Sequence, residues 1–243
     1  MLRGLYEGAM GMVARQTLQD ITANNLANVN STGFQREVLA VHGRFALPAE
    51  KRSTNPTDSP FKTPYATEPF AVRDTSPGNV QPTSNPHDVA LSGPGYLMAQ
   101  AADGPKLVRS ATLSVNGRGE LALPTGEPIL GVSGAPIPVG SADWKIDDSG
   151  AVVNSRGQLL GRMRLVQAQG AVVPVGNGMS TAQSVADAAP GTLQVLPSHL
   201  ERSNVDPIRE MVNMISGMRA YEAGQKSIQA QDQTLENLLT LLR

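Results

Sequence analysis

"NNLANVNSTGF", Asn24 to Phe34, sets three asparagines inside a stretch that otherwise reads as a helix. Asparagine side chains bond to nearby backbone and compete with helical hydrogen bonds, so the segment reads as a helix being closed. Upstream, apolar residues recur at Leu2, Leu5, Ala9 and Met12, then in a rotated stripe through Leu18, Ile21 and Leu26, which predicts a helix from Leu2 to about Asn28. Gly4, Gly8 and Gly11 each cost roughly 0.5 to 1 kcal/mol relative to alanine, so this helix is not expected to hold its shape alone. Asn24, Asn25 and Asn28 have two readings: a frayed C-terminus, or side-chain amides offered to neighbouring molecules. Gly33 permits the turn that follows.

The other end of the chain predicts a second helix. Asp206 is an N-cap with Pro207 at the first helical position, and no proline follows. Asp206 and Glu210 lie near its positive end, Arg243 at its negative end, and Glu222 precedes Lys226 by one turn, all in the favourable sense. Read in sevens, one column is Met214, Tyr221, Ile228, Leu235 and Leu242, and its companion is Met211, Met218, Gln225, Asp232 and Leu239. Together they predict a seam interrupted by one amide and one carboxylate, a polar pair of the kind that fixes register at some loss of stability. At 1.5 Å per residue, about 36 residues make a rod on the order of 54 Å, longer than a small domain. Burying each large apolar side chain contributes about 1.5 to 3 kcal/mol, so this seam is expected to find a partner helix, within the chain or in another molecule.

Between the ends the pattern changes twice. From Gln35 to about Ser84, Pro-rich and polar stretches such as "LPAEKRSTNPTDSPFKTPYATEP" predict a linker with an extended hairpin. From about Asn85 to Leu196, short alternating runs separated by turn signals predict a compact β domain. Within it "GELALPTGEPILG" from Gly119 aligns with "GAVVNSRGQLLG" from Gly150, 31 residues later, which predicts two similar hairpins in one sheet or small barrel. The expected fold class is therefore α+β: long N- and C-terminal helices pairing in a coiled-coil-like bundle, with a central all-β domain. The expected divisions are 1–34, 35–84, 85–197 and 203–243.

Composition narrows the function. With 20 Lys+Arg against 21 Asp+Glu, the net charge of -1 provides no general field for nucleic acid or an anionic membrane, and neither is an expected partner. No cysteine is present, so disulfides and thiolate metal sites are excluded. No stretch of about 18 apolar residues predicts membrane insertion, and the first residues do not read as a cleaved signal.

Reactive chemistry has little support. His42, His87 and His199 are isolated from one another, so neither a metal site nor a histidine-based triad is expected, and no cofactor. The glycines at Gly93 and Gly117 lack the further spacing of a phosphate loop, and "DDSG" at Asp147 reads as a β-turn. A hydrolytic reading would need two carboxylates across a cleft, for which Asp143, Asp147 and Asp148 are the nearest candidates. A binding-module reading would need an exposed apolar patch, for which Trp144, Tyr96 and Phe70 are few and scattered.

Three segments together carry a resemblance. Asn24, Asn25, Leu26, Ala27, Asn28, Thr32, Gly33 and Phe34, then "DVALSGPGYL" from Asp88, then "SNVDPIREMVNMISGMRAYE" from Ser203, are similar to the signatures of the flagellar axial proteins, the rod, hook and hook-associated subunits. One departure is Ser110 followed by Ala111, where that family usually shows a polar residue and then glycine. The resemblance implies a non-enzymatic structural subunit of the flagellar rod, proximal in preference to distal, self-assembling into a helical tube that transmits torque. It implies partnership with copies of itself and other axial proteins, and passage to the periplasm through the flagellar type III export apparatus without a cleaved signal peptide. The residues it implies for assembly are Asn24, Asn25, Leu26, Ala27, Asn28, Gly33 and Phe34 near one end. Near the other they are the seam residues Met211, Met214, Met218, Tyr221, Gln225, Ile228, Asp232, Leu235, Leu239 and Leu242.

Overall fold

The computed structural model describes residues 2–44, 66–140, 143–189 and 191–241. Helix α1 runs from Leu2 to Ala27. Its β-branched Thr22 satisfies a buried hydroxyl by donating to the carbonyl of Leu18 at 2.8 Å. At the helix end an asparagine side chain joins the backbone on one of the last carbonyls. The Asn28 side-chain amide donates to the backbone oxygen of Asn24 and to its Oδ1, both at 2.9 Å. Strands β1 (Glu37–Arg44) and β2 (Ala66–Arg73) then form a two-stranded ribbon.

The chain divides into two compact units, one of residues 1–23, 38–71 and 208–243, the other of 24–37 and 72–207. Apart from the last turn of α1, the regular structure of the second unit is strands. In chain order they are β3 (Val80–Pro82), β4 (Asp88–Ser92), β5 (Tyr96–Ala101), β6 (Gly104–Val108), β7 (Ala111–Thr112), β8 (Ser114–Val115) and β9 (Leu121–Ala122). There follow β10 (Trp144–Ile146), β11 (Ala151–Asn154), β12 (Leu159–Arg162), β13 (Leu165–Gly176), β14 (Met179–Asp187), β15 (Gln194–Pro197) and β16 (His199–Glu201). Strands β13, β14, β6 and β5 close on each other as a small barrel. Tyr96 and Met98 of β5 face the barrel's own core with Leu107, Val166 and Val172, while Leu97 and Ala99 face a larger core with Leu91, Leu121, Ile129 and Val195. A strand covered on both faces needs a continuous apolar run, which is why "YLMA" does not alternate.

The internal repeat is a repeat of turns. Asn116 and Asp147 each open a loop in which their N–H donates to the carbonyl four residues on, and their carbonyl accepts from the N–H of Gly119 or Gly150. Leu123 and Asn154 do the same with Gly126 and Gly157. All four glycines have positive φ, between 75 and 100°, the conformation that a three-residue hairpin loop ending in a bulge requires. The side-chain oxygens of Asn116, Asp147 and Asn154 accept the N–H two residues on, at 2.9 to 3.1 Å, so Asp147 works as a turn residue. Trp144 is buried and stacks on His87 at 4.1 Å between ring centroids, and Tyr96 is buried too, so these aromatics make no exposed patch.

In the first unit, helix α2 runs from Pro207 to Leu241, opened by the proline as its pattern predicts. The expected fold class requires correction. Among the described residues the protein is mostly β, with sixteen strands against two helices, and the terminal helices do not pair along a heptad seam. Met214, Tyr221 and Ile228 are half-buried, but their expected companions Met211 and Met218 are 46% and 48% exposed, and Gln225 and Asp232 are exposed as well. The covered side of α2 instead places small residues beside the first column: Gly217, Ala220 and Gly224. At Gly224 an added Cβ would stand 3.5 Å from Cγ of Met12, so a flexible methionine lies over a glycine where knobs would enter holes in a coiled coil.

Candidate assembly interface

The segment after α1 is locked into the β unit by polar groups that are almost wholly buried. Asn25, 1% exposed, uses its amide as a strand would use a peptide group: Nδ2 donates to the carbonyl of Glu37 at 2.9 Å, and Oδ1 accepts the N–H of Glu37 at 2.7 Å. The backbone N–H of Gly33 donates to the carbonyl of Glu201 at 2.7 Å, the N–H of Arg36 to Oδ1 of Asn204 at 2.6 Å, and the Tyr96 hydroxyl to Oε1 of Gln35 at 2.8 Å. Residues 168 apart in sequence thus share a bond.

Glu201 is the hub. Its Oε1 accepts the N–H of Gly78 at 2.7 Å, and its Oε2 accepts Nε of Arg109 at 2.7 Å, with both side chains of that ion pair all but sealed from solvent. The remaining donors of Arg109 go to the carbonyls of Gly93, Gly95 and Leu91 at 2.6 to 3.0 Å. Ser110 donates its hydroxyl to the carbonyl of Val89 and accepts the N–H of Glu201 at 3.1 Å. That accounts for the polar residue after the arginine, and Ala111 needs no glycine because its backbone is not left-handed. A buried charge pair is tolerated only when its other lone pairs and protons are satisfied, as they are here.

Of the residues expected at an interface, Asn25, Gly33 and Phe34 are therefore turned into their own chain, whereas Asn24 and Ala27 are exposed and Leu26 and Asn28 half-buried. Leu242 lies outside the described residues, as do the side chains of Leu235 and Leu239. The sequence pattern does not single out Gln35, Arg73, Arg109, Glu201 or Asn204, and it offers Tyr96 only as an aromatic for an exposed patch. Tyr96 and Asn204 did lie within stretches resembling the family's signatures, and the rest carry no local signal, since a buried polar residue reads like any surface one.

Burial holds the Tyr96 phenol above its ordinary range, opposed by its bond to Gln35 and by the charges of Arg109 and Arg73. A raised folded-state value means its stabilisation is complete below about pH 10 and is lost as pH rises through the folded value. Tyr96→Phe is expected to lower stability by about 1 kcal/mol at neutral pH and to flatten the loss of stability above pH ~10, measured by denaturant unfolding across an alkaline series.

Buried polar bonds thus fasten segments that lie far apart in the chain. Comparison with known proteins supplies the family. Residues 5–35 match the family described as flagella basal body rod protein, and residues 196–241 match the flagellar basal body rod FlgEFG protein C-terminal family. The flagellar basal-body rod protein FlgF of Escherichia coli is 35% identical over 244 residues, covering 92% of each chain. That of Salmonella typhimurium is 34% identical over 245 residues, covering 93% of this chain and 92% of the relative. The rod protein FlgG of Buchnera aphidicola from Schizaphis graminum is 29% identical over 266 residues, covering 99% and 100%. The chain belongs to the flagellar basal-body rod protein family, as a structural subunit of the basal-body rod. Both family matches reach the lock, the first ending at Gln35 and the second spanning Glu201 and Asn204.

Proposed function

We propose that the chain is a proximal rod subunit that polymerises through its terminal segments, 1–34 and 203–243, into a tube carrying torque through the periplasm. Residues 35–84 link these segments to an outer β domain of 85–197, and the flagellum's own type III apparatus exports the chain without a cleaved signal. Likeness to the FlgF relatives supports the proximal position. Its neighbours are copies of itself and other rod proteins, and it performs no catalysis.

One observation carries the assembly reading. Ile208, Met211, Val212, Ile215 and Met218 are 46% to 70% exposed, and at 100° per residue they fall within one arc of about 120° on α2, beside the covered column of Met214, Tyr221 and Ile228. Apolar side chains gathered on one helix face mark an interaction surface, since burying each contributes about 1.5 to 3 kcal/mol. Asn24 and Asn28 at the end of α1, and Gln225 and Asp232 further along α2, supply polar groups that fix how neighbours meet.

Ile215→Asp is expected to leave the unfolding midpoint of the isolated chain within about 0.5 kcal/mol of the parent, because nothing buried changes. The same substitution should abolish rod assembly, read as loss of sedimentable polymer and of motility. Normal assembly with a charge on that face would refute the reading.

A further inference from the structure

A polar cleft of about 570 Å³ lies within the β unit, where the end of the signature segment meets the tip of the β13–β14 hairpin. Its walls include Asn28, Thr32, Glu37, Arg73 and Asn177. The hairpin tip is a two-residue turn with positive φ at both Asn177 and Gly178, 51° and 73°, the type that suits strand twist and holds one shape.

Two of the lining groups are unfinished. Arg73 is 6% exposed, yet its guanidinium makes only two long hydrogen bonds, 3.4 Å to the carbonyl of Gln35 and 3.4 Å to that of Met179, and its Nε has no partner. Its face rests on the Phe34 ring at 5.1 Å, and it forms no ion pair among the described residues. Burial lowers the Arg73 guanidinium from its ordinary range, with the Glu37 charge opposing that shift. Glu37 is 7% exposed, and Asn25 occupies both of its backbone groups. Its carboxylate lines the cleft without a hydrogen-bond partner among the described residues.

A cation and an anion that do not touch, each short of partners, specify what would fit. A free anion would be repelled by Glu37, and a cation by Arg73. Main-chain peptide groups offer one acceptor and one donor per residue and satisfy both at once. We propose that this cleft receives an extended main-chain segment of a second copy of the chain, its carbonyl on Arg73 and its N–H on Glu37. This rests on the rod-subunit reading, which sets copies side by side, and 20 Lys+Arg against 21 Asp+Glu leave no net repulsion to keep them apart. The cleft is thus an assembly contact separate in chemistry from the apolar face of α2: polar, directional and able to fix the angle between neighbours.

The test uses flagellated cells carrying the full chain with p-benzoylphenylalanine in place of Thr32, an exposed residue on the cleft wall. Irradiation followed by isolation of basal bodies is expected to give a dimer whose cross-linked peptide comes from a second copy. No cross-link, a cross-link within one chain, or one to a different protein overturns the proposal, as does equal cross-linking from the same group at Asp148, an exposed turn residue outside the cleft wall. In parallel, Thr32→Trp, which plugs the cleft without touching its buried bonds, should reduce assembly by about tenfold or more with an unchanged unfolding midpoint. If Thr32→Trp assembles normally while Ile215→Asp does not, the cleft proposal falls and the rod-subunit reading stands. If both assemble normally, that reading falls too.

Discussion

Arg109→Ala is expected to lower the stability of the β unit by about 3 to 5 kcal/mol, the range for breaking a buried ion pair by removing one partner. The alanine would leave the Glu201 carboxylate charged and sealed, with the carbonyls of Gly93, Gly95 and Leu91 losing their donors together. Marginal domains hold about 5 to 15 kcal/mol in total, so the variant should be at the edge of folding at growth temperature. Denaturant unfolding reads the loss directly. Glu201→Gln is the informative companion, because it removes the charge while keeping one oxygen for Gly78, and its loss should be the smaller of the two. Equal and small losses would mean that the pair is solvated in solution and that the lock is held elsewhere.

Gly33→Ala should come next, with a loss on the order of 3 kcal/mol and a more specific consequence. Gly33 has φ of +66°, which costs any residue with a Cβ about 1 to 2 kcal/mol, and that Cβ would stand 2.7 Å from the carbonyl oxygen of Ser110. Backbone on both sides leaves no flexible group to give way, which adds a further 1 to 3 kcal/mol by the usual scale of overpacking. Because Gly33 also donates to Glu201, the strain falls on the docking of residues 24–37, not on the barrel. Hydrogen exchange should therefore show the Asn25–Glu37 amides losing protection while those of β5 and β13 keep theirs. Uniform loss across the unit would mean the segment and the barrel unfold as one.

Much of the chain's plan is legible because it rests on local rules. The absence of proline after Pro207, and the Asp-Pro pair before it, mark α2; asparagines mark the close of α1; the 31-residue echo marks paired turns, since turn glycines sit at fixed offsets. An Asn-Gly pair at 177 and 178 is a hairpin signal of the same local kind, and it stands where β13 turns into β14. What misleads is periodicity without chemistry. Met211 and Met218 keep a seven-residue beat, but so do Gly217 and Gly224, and the side that becomes covered is the one carrying glycines. Which strands make the barrel is hidden for a related reason: a strand buried on both faces shows no alternation to count. The lock is least legible of all, because Arg109 and Glu201 are 92 residues apart and nothing in either neighbourhood announces a partner.

The bond from Gly33 to Glu201 has a consequence for timing. Polypeptides are made from the first residue onward. The signature segment therefore emerges early, yet its dock does not exist until strand β16 arrives, more than four-fifths of the way along. A chain cut short before His199 would carry the family's leading motif and lack the strand whose carbonyl accepts from it.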